Sequence, residues 1–376
     1  MRNLIKKLLS IGFLMLMSQV ACAHASEPAD SSSMLADSVA VPSGRNWVRQ
    51  LVSTGFHIND PSIRYPGFAR WLVKVYNWGD RTFNSYDDDY VVGTGKNWKA
   101  YMKNDMWMRT YVMHFKDNSL LHISSKLYDD LGFNLCFMAL SVGYTFNVNQ
   151  LLGDNSVRHR LDFSFTSSLF SASFTSQMAD GGAIIRKFGD FKGGKRLNYE
   201  FNDIHVDNRN FDIYYFFNHD HYSQAAAYCY SKYQLKSAGS WVIGFNYLRQ
   251  HIDMNFEKLP LAMLDAIPSL DHEYRFSHTD YNVLWGYAHN WVLKPKTLLI
   301  NITVLPSIGY KHTSESSSSI RDLVSTNIEG LGAIVYNRDA MFATLSGRFN
   351  GYLNFGKSYT FFNSTQILTA SFGVRF

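Results

Sequence analysis

The sequence is poor in charge: Asp, Glu, Lys and Arg make up 18% of its 376 residues. Disordered chains carry many charges and few aromatics, so disorder is excluded. The same composition, with only 8 prolines, argues against a coiled coil or collagen. Long apolar runs are also scarce. Only one, near the amino terminus, approaches the length of a membrane span, so a bundle of transmembrane helices is excluded. Cysteine numbers 3. If Cys22 is removed with a leader, Cys136 and Cys229 remain, too few and too far apart for a disulfide framework. The formal charge is +5, but its basic residues are scattered. Nucleic-acid binding needs a clustered basic face, so no nucleic-acid partner is expected. Aromatics, by contrast, are abundant: 28 Phe, 23 Tyr and 8 Trp. That balance fits an aromatic-rich all-β chain.

The amino terminus reads as an address. Arg2, Lys6 and Lys7 precede an apolar stretch, Leu8 to Val20, and then Ala21-Cys22-Ala23 and Ala23-His24-Ala25. A positive start, a short apolar middle and a small-x-small end make a secretory signal peptide over residues 1–25. Cleavage after Ala23 or Ala25 and acylation of Cys22 both stay open. Residues 26–44, rich in Ser, Ala and Asp, read as a flexible leader. Residues 45–97 read as a periplasmic helical segment and lead-in. In it, Phe68, Trp71, Leu72, Val75 and Tyr76 share one helical face, with Arg70 and Lys74 off it. Such a helix either lies on a membrane surface or packs against other protein.

From about Trp98 the period changes to two. Tyr281, Val283, Trp285, Tyr287 and Trp291 alternate with small or polar residues. So do Leu298, Ile300, Ile302, Val304 and Ile308, and so do Leu368, Ala370, Phe372, Val374 and Phe376. In a soluble sandwich the apolar face is the core. In a membrane barrel it meets lipid, and the small or polar face lines the lumen. The signal peptide, segments of 10–15 residues, Trp and Tyr near segment ends, and a terminal strand ending on Phe favour the barrel. The fold expected over residues 98–376 is therefore all-β, a closed antiparallel transmembrane barrel of about 12 strands. Candidate strands are 99–115, 119–130, 135–148, 159–166, 169–177, 222–235, 240–250, 280–292, 297–310, 324–336, 340–353 and 364–376. Short periplasmic turns then fall at 337–339, 293–296, 236–239, 167–168 and 131–134, and long outer loops at 178–221, 251–279 and 311–323. Residues 212–218 are assigned to the first outer loop, or to an extension of the strand after it.

The run Tyr214-Tyr215-Phe216-Phe217-Asn218, followed by Tyr222-Ser223, Ala225-Ala226, Gln234 and Lys236-Ser237-Ala238-Gly239-Ser240, carries a resemblance. Tyr86 to Trp98, Gly286-Tyr287 and Asn290-Trp291-Val292 add to it. Together they resemble an uncharacterised outer-membrane β-barrel family of Bacteroidetes, catalogued as domain of unknown function four-four-two-one, over roughly residues 66–376. The resemblance implies the barrel fold and a multi-pass place in the bacterial outer membrane. It supplies no activity.

Candidate functional residues follow from the alternation. A charge facing lipid is costly, so Arg160, Asp162, Asp280, Arg348 and Arg375 are expected to face the lumen, either lining a channel or filling it as paired charges. Phe372, Gly373 and Phe376 are expected to form the signal read by barrel-assembly machinery. Outer-membrane lipid and lipopolysaccharide are the other expected partners. His205-Val206-Asp207, His219-Asp220-His221 and His251-Ile252-Asp253, expected in or beside outer loops, match no dedicated metal spacing, so neither metal nor cofactor is expected. Ser223, Ser237 and Ser240 would need a nearby His to act as nucleophiles, and none is placed beside them. The functions in view are solute passage or a structural and surface-interaction role, with a lipid- or lipopolysaccharide-modifying enzyme as the alternative.

The terminal strand must close the sheet, because an open edge in lipid leaves backbone groups unpaired. The protein is expected to fractionate with outer membrane and to migrate heat-modifiably. Removing Phe376 should deplete the heat-modifiable form strongly, and removing residues 26–40 should not; equal levels of folded barrel in both would contradict this.

Overall fold

The structure, a computed structural model, describes residues 47–54, 58–137, 140–148, 158–313, 323–355 and 359–376. The signal peptide, the flexible leader and Cys22 lie outside the described residues. The chain divides into two units, residues 1–66 and 67–376. In the first, α1 (Trp47–Ser53) sets Trp47 against Tyr65 with ring centroids 5.8 Å apart. The Tyr65 hydroxyl donates to the Ile58 carbonyl at 3.0 Å.

The second unit opens with α2 (Gly67–Phe83), followed by β1 (Val91–Gly93), β2 (Trp98–Phe115), β3 (Leu120–Ser125), β4 (Tyr128–Phe137), β5 (Leu140–Asn147), β6 (Arg158–Thr166), β7 (Phe170–Asp180), β8 (Ala183–Phe188), β9 (Tyr199–Phe201) and β10 (Ile204–Phe216). Then come β11 (Lys232–Gln234), β12 (Ala238–Asn255), a short helix α3 (Leu261–Leu264), β13 (Glu273–Lys294), β14 (Leu298–Thr313), β15 (Val324–Arg338), β16 (Met341–Phe355) and β17 (Tyr359–Arg375). Twelve of the strands make a closed antiparallel barrel in the order β2-β4-β5-β6-β7-β10-β12-β13-β14-β15-β16-β17, and β17 pairs back onto β2 from Tyr359↔Phe115 to Arg375↔Lys99. The last residue completes the seam: Phe376 N–H donates to the Trp98 carbonyl at 2.9 Å, and Trp98 N–H to the Phe376 carbonyl at 3.1 Å. One barrel end carries short turns and the start of β2 and end of β17. The other carries the long loops. At that loop end β2 exchanges partners, from β4 up to Trp107 to β3 from Thr110, and β8 and β9 extend the wall from β3.

Alternation is clearest on the long strands after the plug. On β13, Tyr281, Val283, Trp285, Tyr287 and Trp291 point outward and are exposed, while Asp280, Asn282, Leu284, Ala288 and Asn290 are buried inside. The same rule holds on β14, with Ile302, Val304 and Ile308 outward and Asn301, Thr303 and Leu305 inward.

The expected count of twelve is met by a different set of segments. Residues 212–216 are not loop: they end the crossing strand β10, and 217–218 begin the turn after it. Its inward row carries Asn208, Asn210 and Asp212, and this polarity hid the strand from a pattern search. Residues 222–235 cross nothing; they form the insertion described below. The first outer connection thus shrinks to residues 181–203, and the loop expected at 251–279 shrinks because β12 runs to Asn255 and β13 starts at Glu273. The turn expected at Leu131 to Asn134 lies inside β4; the chain reverses between Phe137 and Leu140. The turn at Ser167-Ser168 stands as expected, with Ser167 N–H donating to the Phe170 carbonyl.

One local packing feature follows from a proline. Pro306 has no N–H, and the β13–β14 ladder skips from Leu284↔Ser307 to Tyr287↔Val304. Gly286 lies opposite this gap, where the two backbones close up. A Cβ on Gly286 would sit 1.9 Å from the Val304 carbonyl oxygen and 3.0 Å from Leu305 Cα. At Gly332 the nearest atom to a Cβ would be 3.8 Å away. Gly286→Ala is therefore expected to lower unfolding stability by about 1–3 kcal/mol, the usual overpacking cost, and Gly332→Ala to change it little, as measured by urea unfolding in detergent or vesicles.

Candidate functional site: a plugged lumen

The connection between β10 and β12 lies at the turn end, where two or three residues would suffice. Instead the chain inserts into the barrel. Tyr222 is fully buried, and Ala225–Cys229 wind into a single π-helical turn whose Ala225, Ala226, Ala227 and Cys229 are buried. Small side chains are required there because the turn enters a lumen already lined by side chains. Ala226, Ala227 and Tyr230 pack on Leu299, Ala333, Val335 and Phe342, while Tyr222 packs with Phe216, Val242, Leu284 and Leu305. Tyr230 takes a left-handed backbone, φ +58°, which reverses the chain. β11 then pairs with β1, Val91↔Gln234 to Gly93↔Lys232, so the residues just before the barrel are stitched to the plug.

Polar side chains of the wall satisfy the plug's backbone. Asn290 donates to the Ser223 carbonyl and to Gln234 Oε1, each at 3.0 Å. Asn301 donates to the Tyr222 hydroxyl at 3.0 Å and accepts from that of Tyr228 at 2.6 Å. The Lys232 ammonium donates to Ser168 Oγ and Asn84 Oδ1, both at 2.6 Å, and lies 3.8 Å from the Tyr86 ring centroid. The most telling contacts come from the seam. Lys99 and Arg375 are register partners across β2 and β17. Like charges directly opposite repel. Here Lys99 donates to the Cys229 carbonyl at 2.5 Å and Arg375 to that of Tyr230 at 2.7 Å, so consecutive plug carbonyls take one cation each. Arg375 also donates to Asn337 Oδ1 at 2.5 Å and stacks over Phe342.

Above the plug, ion pairs span the middle of the lumen. Lys103 bridges Asp105 at 2.8 Å and Asp162 at 3.4 Å, and Arg160 pairs with Asp162 at 3.0 Å. Glu329 accepts from Tyr214 at 2.7 Å and faces Arg348 at 3.8 Å. Asp212 accepts from Asn246 at 2.6 Å and Asn210 at 2.5 Å. Between these groups lies a cavity of about 20 Å³ lined by Asp212, Glu329, Asn327, Asn350 and Tyr352, room for roughly one water. At the loop end an apolar cluster follows: Met113, Phe115, Leu121, Ile123, Phe188, Met254 and Phe361 from the wall, with Phe256, Leu259, Met263 and Ile267 from the β12–β13 loop.

Of the charges expected inside, Arg160 and Asp162 bond each other and Arg348 faces Glu329. Asp280 accepts from Ser325 at 2.7 Å, with His278 at 3.8 Å. Arg375 sits apart, at the plug. Arg348 and Arg375, eight pairings apart along β17, thus belong to separate networks. Lys99, Lys103, Asp105 and Arg109 were missed, although their odd-numbered spacing in Trp98–Phe115 marks one face of a strand. Phe372 and Phe376 point outward and are exposed. Gly373 admits Tyr101 and Phe342: a Cβ there would sit 2.4 Å and 2.5 Å from their side chains.

His219-Asp220-His221 lies at the turn end and not beside an outer loop, His221 facing Asp87 at 3.4 Å. Among the described residues no group of three or more His, Cys, Asp and Glu side chains converges. Ser223 Oγ accepts from Ala226 N–H, Ser237 Oγ from Val292 N–H and Ser240 Oγ from Asn218 N–H, so these hydroxyls are engaged as backbone caps.

Residues 85–376 match the family described as Domain of unknown function (DUF4421). No curated protein shows significant similarity to the chain. Among solved structures, the chain is similar to the outer membrane protease OmpT of Escherichia coli, at 6% identity and a TM-score of 0.30, covering 76% of this chain and 98% of that one. The beta domain of the Bordetella autotransporter BrkA gives 7% identity, a TM-score of 0.31, and 73% and 99% coverage. The Pseudomonas putida toluene transporter TodX gives 6%, 0.24, and 74% and 90%. At these values no residue role transfers.

Removing either seam cation strands a buried plug carbonyl. Lys99→Met and Arg375→Gln are each expected to cost about 1.5–3 kcal/mol of unfolding stability, whereas Arg275→Ala, in an exposed pair with Glu273, should stay within about 0.5 kcal/mol. Equal effects of all three in urea titrations would contradict the seam role.

Proposed function

The chain belongs to the family described as Domain of unknown function (DUF4421), and we propose that it is an outer-membrane barrel held shut by its own plug, serving a structural and surface-presenting role and not acting as a standing pore. The filled lumen carries this reading. The plug occupies the turn end, paired charges span the middle, and the apolar cluster closes the loop end.

The membrane location is supported by the exterior. Tyr281 and Trp291 bracket the outward face of β13. The ten residue steps from one to the other rise about 34 Å along the strand, or about 26 Å at a tilt near 40°, matching the apolar band of outer-membrane barrels. An aromatic row marks the first level, where Tyr247, Tyr281 and Tyr310 are neighbours on β12, β13 and β14, and Trp241, Trp285 and Tyr287 cluster on the outward face between the levels. In this reading the turn end faces the periplasm, and Phe372, Gly373 and Phe376 present the terminal strand to barrel-assembly machinery. Lipopolysaccharide meets the loop-end half of the belt. The enzyme alternative gains nothing from Ser223, Ser237 or Ser240, whose hydroxyls cap backbone.

Planar-bilayer recording tests the closed state. The intact protein is expected to give no steady ohmic conductance, and a variant with residues 222–235 replaced by a short Gly-Ser turn to open a conductance step. Steady conductance from the intact protein, unchanged in the variant, would overturn the proposal.

A further inference from the structure

The apolar face of α2 has no place in the plugged lumen. Phe68, Trp71, Leu72, Val75 and Trp78 are 43–73% exposed. At 100° per residue they fall within an arc of about 120°. Ala69 is buried, and Val73 and Asn77 are half-buried, so the neighbouring arc is the one that packs on protein. Arg70 and Lys74 occupy the third arc, exposed. A helix that used its aromatic stripe for packing would bury that stripe; this helix buries a narrower and less apolar one.

Its C-terminal end is tied to the outer rim of the barrel at the turn end. Leu169 N–H donates to the Phe83 carbonyl at 3.0 Å. Rings then run without a break from helix to wall: Trp78 to Phe83 at 5.6 Å, Phe83 to Phe170 at 5.5 Å, and Phe170 to Phe165 at 5.3 Å. Phe165 and Phe170 share the outward alternation of Phe163, at the turn end of β6 and β7. The aromatic stripe of α2 is therefore continuous with the belt of the barrel at one edge.

We propose that α2 lies in the membrane interface at the turn end, its aromatic stripe sunk in the phospholipid leaflet there and Arg70 and Lys74 set at lipid phosphates. This rests on the membrane-spanning reading of the barrel. An interfacial helix of this kind needs an apolar stripe, a basic flank and rings at headgroup depth, and α2 supplies all three. The partner is the bilayer's own phospholipid: the stripe offers no groove or hydrogen-bonding row for a peptide, while the flanking charge is of the sign that phosphates attract.

The test places single fluorophores in the full chain, in a Cys22→Ser background where Cys136 and Cys229 are buried. Labels go at Leu72→Cys, Lys74→Cys and Asn77→Cys, and at Val283→Cys, inside the belt on the outward face of β13, as a reference. The protein is reconstituted in phosphatidylcholine–phosphatidylglycerol vesicles and challenged with doxyl-labelled lipid or with acrylamide. Lipid quenching is expected to be strong at 283 and 72 and several-fold weaker at 74 and 77. Lipid quenching at 283 with only acrylamide quenching at 72 would overturn the inference by placing the helix in water. Shielding of 72 from both quenchers would overturn it in favour of a protein partner or a second copy. Loss of lipid quenching at 283 would sink the membrane-spanning reading itself.

Discussion

The seam between the first and last barrel strands sets the terms for the rest of the molecule. In lipid every backbone N–H and C=O must find a partner within the protein, so β17 must return to β2 along its whole length. The register that achieves this places Lys99 opposite Arg375. Two buried cations in that arrangement destabilise the closure that the backbone demands. The plug removes the conflict by delivering the Cys229 and Tyr230 carbonyls to them. The insertion between β10 and β12 is thus part of the wall's chemistry as well as a stopper in its bore.

The same need for partners explains the layering of the interior. Near the turns, wall amides and hydroxyls meet plug backbone, and the aliphatic part of the plug is reduced to alanine so that it fits. In the middle, where no chain enters, side chains of opposite sign reach across to one another. Toward the loops, β3, β8 and the segment around Met263 bring enough apolar surface to form a conventional core. Gly189, at φ +45°, allows the β8 turn to press on that segment, where a Cβ would sit 2.2 Å from the Ala266 carbonyl oxygen. Each level uses a different interaction.

Much of this was readable from the chain. Strands whose outward row is aromatic or apolar and whose inward row is small or polar, β12 to β14, β16 and β17, are legible from their alternation, faces included. The failures cluster where one of those signals lapses. β10 carries charge and amide through its middle because it faces the ion-pair level, and it read as loop. Residues 222–235 carry Tyr222, Tyr228, Tyr230 and Tyr233, an aromatic density that the outward row of a barrel strand shares. In fact most of those rings point into the protein, where their hydroxyls meet Asn301 and Thr344. The inward direction of Arg375 followed from alternation. Its partner did not, since a contact between residue 375 and a carbonyl 145 positions earlier has no trace in local pattern.

That distance in sequence has a temporal consequence. Lys99 and Arg375 come from opposite ends of the barrel's chain, and the carbonyls they share come from near its centre, 130 and 145 residues away. Contacts of such span form late, after the entropy of closing long loops has been spent. Until the central insertion is seated, the two cations lack these carbonyl acceptors at the edge where the ends must meet. An order of assembly in which the central insertion is seated before the ends meet would spare the seam that repulsion.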